Sequence, residues 1–160
     1  MELVVRDARR EDVPSIMQLI KELAIYEKAE HEVETTVESM LKDGFDDQPS
    51  YSALVAEYQG QIIGIAVYFY SYSTWKGTSL YLDDLVVSQS VRRMGVGHQL
   101  FEALVLKAAE KGVGKMHWQV LDWNEPAIKF YHKWNADLQD GWLNGSLSKQ
   151  QLQLYAEQKH

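Results

Sequence analysis

The tract that constrains this chain most runs from Leu80 to Gly97. An apolar, strand-like run, Leu80 to Val87, leads into the basic turn Val91-Arg92-Arg93-Met94-Gly95-Val96-Gly97, and an amphipathic helical pattern starts there. A strand that feeds a helix through glycines leaves the first N–H groups of that helix without partners, at the positive end of its dipole. Such a helix start suits an anion, and phosphate above all. Two other phosphate-binding patterns are missing. The sequence contains no G-x-x-x-x-G-K-[ST], and no G-x-G-x-x-G follows its first strand, so neither a P-loop nor a dinucleotide-binding unit is expected.

The rest of the pattern fits an α/β chain of the α+β kind. Leu3 to Asp7 reads as a strand. Glu11 to Lys28 reads as a helix whose Val13, Met17, Ile20, Leu23 and Ala24 share one face, with Pro14 tolerated in the first turn. Thr36 to Lys42 is a second, short helix stopped by Asp43-Gly44. Ser52 to Glu57 and Ile62 to Tyr70 form a hairpin through Tyr58-Gln59-Gly60-Gln61. Ser71 to Gly77 reads as a loop and Ser79 to Val87 as a third strand. Val96, Leu100, Leu104 and Ala108 mark the buried side of the helix after the glycine turn. Met116 to Val120 is then a strand. Asn124 to Trp134 is a helix capped by Asn124, Trp142 to Ser146 a final strand, and Ser148 to Gln158 a last helix. This order predicts a mixed, mostly antiparallel sheet covered by helices rather than a doubly wound parallel one.

Composition narrows the function. The 160 residues are 46% hydrophobic, enough for one domain, 1–160, with a sizeable core. A net charge of −7 argues against nucleic acid as a partner and suits a cationic small molecule. There is no cysteine, which excludes disulfides and thiolate catalysis. His98 and His117 lack ligand-spaced partners, so no metal site is expected, and both read as structural or exposed. The N-terminal residues lack a signal-peptide pattern, and no apolar run is long enough to cross a bilayer. A soluble, cytoplasmic protein without a membrane partner is expected. Asp83 and Asp84 are adjacent, so regular alternation would send them to opposite faces of their strand.

Several tracts together resemble the GNAT N-acetyltransferase superfamily. They are Leu19 to Ala24 with Tyr26-Glu27, Asp43-Gly44-Phe45, Leu54 to Glu57, Tyr72-Ser73-Thr74-Trp75-Lys76-Gly77, Tyr81-Leu82-Asp83-Asp84, the glycine turn, Trp123-Asn124-Glu125-Pro126, Phe130-Tyr131 and Gly141-Trp142. They follow the family's order over nearly the whole chain. The resemblance is stronger to the spermidine/spermine N-acetyltransferase branch, and within it to the subgroup that includes thialysine N-acetyltransferases.

The resemblance implies acetyl-CoA as donor, a primary amine as acceptor, direct transfer, and a sheet splayed to admit the donor. It implies a donor site made of Leu85, Val86 and Val87 on the strand, Arg92, Arg93, Met94, Gly95, Val96, Gly97 and His98 at the turn, and Asn124 and Tyr131 beyond. Close relatives often carry glycine at the Arg93 position. A protonated alkylamine has no free lone pair, so its deprotonation must be assisted. By resemblance Asp83 is the base, acting through a water because aspartate is shorter than the family's usual glutamate, and Tyr131 is the general acid toward the departing sulfur. The acceptor would be surrounded by Tyr26, Glu27, Trp75, Asp83, Asp84, Asp140 and Trp142. Ser73 replaces an acidic residue of polyamine-preferring relatives, which shifts the expectation toward a lysine analogue or a short diamine. A homodimer is implied, joined through the last strand and helix. Two alternatives share the fold: a protein or peptide N-acetyltransferase, and a non-catalytic acyl-CoA-binding module.

Overall fold

The computed structural model describes residues 2–91 and 94–159. It divides into two compact units, Met1–Gln119 and Val120–His160. The first holds the whole sheet: β1 (Val4–Asp7), β2 (Ser52–Tyr58), β3 (Gln61–Ser73), β4 (Gly77–Val87) and β5 (Met116–His117), in that spatial order. The first three pairings are antiparallel and the last, β4 with β5, is parallel. The expected mixed, mostly antiparallel sheet is therefore present. No helix among the described residues is long and apolar enough to cross a membrane.

Helices cover both sheet faces of this unit. α1 (Val13–Tyr26) and α2 (Val37–Phe45) share a core with Ala53, Val55, Ile65, Val67 and Val86. α3 (Val96–Lys111) buries Val96, Leu100, Phe101, Leu104 and Ala108 against the opposite face. Gly64 shows how closely α3 approaches: a Cβ there would stand 2.9 Å from side-chain carbons of both Leu100 and Val96. The second unit contains α4 (Glu125–Lys133) and α5 (Lys149–Gln158).

Three expectations need correction. The loop from Ser71 to Gly77 is mostly strand, because Ser71 and Tyr72 pair with Ser79 and Thr78, so that only Thr74 to Lys76 turn the chain. Ser73 Oγ accepts hydrogen bonds from the Trp75 and Lys76 N–H groups, at 3.2 and 3.1 Å, and Gly77 takes a left-handed φ of 81°. Tyr and Thr fit a pleated, half-buried surface, and here a partner strand is available to them. The strand from Met116 to Val120 shrinks to Met116–His117. Its pairing ends at Tyr81↔His117, just before a bulge in β4, and bulges of this kind interrupt a ladder locally. Trp142 to Ser146 is not a strand: strand propensity becomes structure only within a ladder, and this stretch is not part of the described sheet.

One charged network ties the first strand to the first helix. The Arg6 guanidinium donates to Asp12 Oδ2 and Oδ1, at 2.7 and 3.1 Å, and to Glu57 Oε2 at 2.9 Å. Asp12 Oδ2 also accepts from the Arg9 N–H at 2.7 Å. The Arg6 bond holds the Asp12 carboxyl below its ordinary value. A depressed carboxylate stabilises the fold fully above its unfolded pKa, and that contribution is lost as pH falls through the folded one. Asp12→Asn should cost roughly 1–3 kcal/mol at neutral pH by thermal denaturation, because Arg6 loses its buried partner. The deficit should shrink as the scan moves below the usual carboxylate range.

Candidate active site

The chemistry converges on β4, where Tyr68 pairs with Leu82 and the preceding Val67 pairs with Asp84. Asp83 is the extra residue of a β-bulge, so two aspartates occupy one step of the ladder. The regular alternation assumed from the sequence is therefore broken at Asp83, which has no cross-strand partner in the ladder. Cross-strand partners share a face. Leu80 and Leu82, opposite Tyr70 and Tyr68, belong to the α3 side, where Lys111 Nζ lies 4.1 Å from the centre of the Tyr70 ring. Asp84, opposite the core residue Val67, belongs to the α1 side with Val86. Tyr81, opposite Phe69, belongs there too.

Burial and like charge act together on these acids. Desolvation first, then Asp83 and Glu27, push the Asp84 carboxyl up to about 7. Burial alone raises Asp83 and Glu27. Glu27 is the C-cap of α1 and Tyr26 its last residue, so the end of this helix brings a carboxylate within electrostatic reach of Asp84. Withdrawing carboxylates from water and setting them near one another disfavours their charged forms. A cation entering the group relieves that repulsion, and a carboxylate titrating near neutrality is suited to accept a proton.

Beyond the acids, β4 leads to an open strand edge and α3 starts at a glycine. On its β5 side, β4 is paired only at Leu80 and Tyr81, so that edge of residues 82–87, including Leu85, Val86 and Val87, has no strand partner among the described residues. Gly95, at φ 69°, is the left-handed N-cap of α3, and nothing stands within 4 Å of a Cβ placed there. Val96, Gly97 and His98 form the first turn that follows, the part of a helix suited to an anion. Met94 and His98 are exposed and Val96 is buried. Arg92 and Arg93 lie outside the described residues. Among the described residues no group of three or more His, Cys, Asp or Glu is arranged to hold a metal ion.

Not every sequence candidate joins the acidic group. Trp75 caps the β3–β4 hairpin, 92% exposed. The run of β4 from Gly77 to Asp84 separates it from the aspartates by roughly 20 Å. In the second unit, Asn124 caps α4 by accepting from the Ala127 N–H at 3.3 Å. Tyr131 is 7% exposed, and burial pushes its phenol up to about 12, so it carries its proton throughout the physiological range. Asp140 and Trp142 are exposed in the stretch between α4 and α5 that has no regular structure. Sequence reading did not single out Tyr81 or Phe69, which share the Asp84 face, and read His117 as structural or exposed; it is half-buried. The usable signal was the i, i+2 spacing of Tyr81 and Asp83.

A carboxylate raised by burial weakens the fold once pH exceeds its unfolded value. At low pH Asp84 is neutral folded or unfolded. The penalty grows as pH rises from about 4 and is complete above about 7. Asp84→Asn should therefore melt at a higher temperature than the parent at pH 7.5, with the gain fading toward pH 4. An unchanged midpoint at pH 7.5 would mean that the carboxylate is not desolvated.

Comparison with known proteins agrees with this geometry. The model of the acetyltransferase (GNAT) family matches residues 13–136. The thialysine N-epsilon-acetyltransferase of Bos taurus is 37% identical over 151 residues, covering 88% of this chain and 89% of the relative. The human spermidine/spermine N(1)-acetyltransferase-like protein 1 is 34% identical over 158 residues, 92% of this chain but 23% of that longer protein. Among solved structures, the aminoglycoside acetyltransferase meta-AAC0020 from a soil metagenome superposes with a TM-score of 0.76 at 21% identity, covering 91% of this chain and 97% of its own. The integron cassette protein VCH_CASS6 of V. cholerae gives 0.78 at 20% identity, covering 98% and 99%. At such identities these two structures speak for the fold alone. With its sheet, its glycine-capped helix and its matched length, the chain belongs to the GNAT family and is an N-acetyltransferase.

Proposed function

We propose that the chain moves an acetyl group from acetyl-CoA directly to the primary amine of a small cationic acceptor, a lysine analogue such as thialysine or a short diamine. The observation that carries this reading is the carboxylate group of Asp83, Asp84 and Glu27 beside an unpaired strand edge. Carboxylates that repel one another are stabilised by an ammonium ion, and the raised Asp84 value brings proton acceptance into the neutral range. The family match from residue 13 to 136 supports reading 1–160 as one acetyltransferase domain. The curated thialysine N-epsilon-acetyltransferases support the choice of acceptor.

In this reading the backbone of Leu85, Val86 and Val87 pairs with the extended arm of acetyl-CoA. The amides of residues 92–98 hold its pyrophosphate, and Asn124 contributes near the start of α4. Asp83 and Asp84 take the ammonium proton through water and act as a pair, since neighbouring acids titrate jointly. A backbone N–H of β4 stabilises the negative charge that develops on the acetyl oxygen. Tyr131 returns a proton to the departing thiolate. Its raised pKa keeps it protonated until that moment.

Tyr26 and Glu27 border the acceptor. Trp75, Asp140 and Trp142 enter the proposal through the resemblance. Trp142 and Leu143 are 85% and 99% exposed, and Leu152 and Tyr155 of α5 are exposed as well. Apolar surface of this kind is suited to a homodimer contact. We assign the activity to the cytoplasm, with no nucleic acid or membrane as partner.

Thiol release from acetyl-CoA, screened over thialysine, lysine, ornithine, short diamines, spermidine and spermine, should be greatest with thialysine or a short diamine. Equal inactivity on all of them would shift the acceptor to a protein lysine. Tyr131→Phe should lower kcat by roughly 10²-fold or more, in the range of general acid catalysis, with acetyl-CoA affinity by calorimetry unchanged.

A further inference from the structure

The α1-side face of the sheet continues past the carboxylates into a short aromatic ledge. Phe69 and Tyr81 face each other across β3 and β4, with ring centres 5.1 Å apart. Tyr81 meets His117 of β5 edge to face at 4.8 Å. His117 Nε2 lies 3.1 Å from Ser71 Oγ, which fixes the imidazole from the far side. Tyr81 and His117 are each half-buried, so the ledge keeps some open surface. The Tyr81 hydroxyl feels Asp83 and Asp84: burial first, then those two charges, raise its pKa.

We propose that Tyr81 is an acceptor-binding residue, its ring supporting the alkyl chain of the amine where it leaves the aspartates, and that His117 is the residue that positions this ring. The assignment rests on the acceptor reading above and extends it. An alkylammonium has a charged head and an apolar stem. Carboxylates satisfy the head, whereas the stem gains only from an apolar surface, and an aromatic face attracts both. The ledge shares the face of Asp84, and the β4 bulge brings the two together. His117 acts through Tyr81: its ring blocks one edge of the phenol and is itself tied to Ser71, so rotation of Tyr81 away from the carboxylates meets resistance. Trp75, the aromatic residue favoured by sequence, lies at the hairpin tip and does not supply this surface to the same site.

Steady-state kinetics with thialysine and acetyl-CoA test the assignment. Tyr81→Leu should raise the thialysine KM about tenfold, the scale of a partly desolvated cation–aromatic contact, while kcat and the acetyl-CoA KM change little. Tyr81→Phe, which keeps the ring, should stay within about threefold of the parent. His117→Ala should raise the same KM, and His117→Phe, which restores a ring edge against Tyr81, should recover most of the loss. Should Tyr81→Leu fail to fold, Tyr81→Met is read in the same way. An unchanged thialysine KM in folded Tyr81→Leu, with Asp84→Asn showing a raised KM, overturns the ledge alone. An unchanged KM in both variants overturns the acceptor reading as well.

Discussion

The bulge at Asp83 is the constraint on which the rest of this site depends. Regular alternation along β4 would carry Asp84 to the face of Leu80 and Leu82, which is packed under α3 on the side opposite to α1. One extra residue reverses the alternation. Asp84 then joins Val67, Val86 and Tyr81 on the α1 side, within electrostatic reach of Glu27 at the end of that helix. The pairing of β4 with β5 stops just before this irregularity, at Tyr81 and His117. A single irregularity thus brings Asp84 to the α1 side and lies where the paired edge ends.

Such a site is a standing cost to the fold. Desolvated, mutually repelling carboxylates oppose folding at neutral pH, and the structure offsets them elsewhere. The core shared by α1, α2 and the sheet has Val13, Ile16, Val55 and Ile65 fully buried. The Arg6 network binds β1 to the start of α1 and to β2, with opposite charges where the site has like ones. The two clusters use the same side-chain chemistry toward opposite ends. Asp12 lies beside a guanidinium and is held below its ordinary pKa, whereas Asp84 lies beside other acids and is raised.

Much of the framework was legible from periodicity. The apolar stripe of α1, the turn at Gln59-Gly60 and the glycine start of α3 all lie where spacing and glycine put them, because these signals are local. The misreadings concern pairing. Ser71 to Ser73, Trp118 to Val120 and Trp142 to Ser146 have similar extended propensity, yet only the first joined a ladder of any length. Strand propensity is realised through neighbours, and neighbours are a tertiary property.

The sequence by itself determined the helices, the β2–β3 hairpin, the anion-suited turn and the family, since all of these depend on residues near one another or on motifs in a fixed order. Only the tertiary structure decided that Asp84 lies within electrostatic reach of Asp83 and Glu27, that Tyr81 shares its face, and that Trp75 stands apart from them. Each of those outcomes follows from strand register. One unpaired residue in β4 reverses the faces of everything beyond it, and a linear reading assumes the alternation that the bulge breaks.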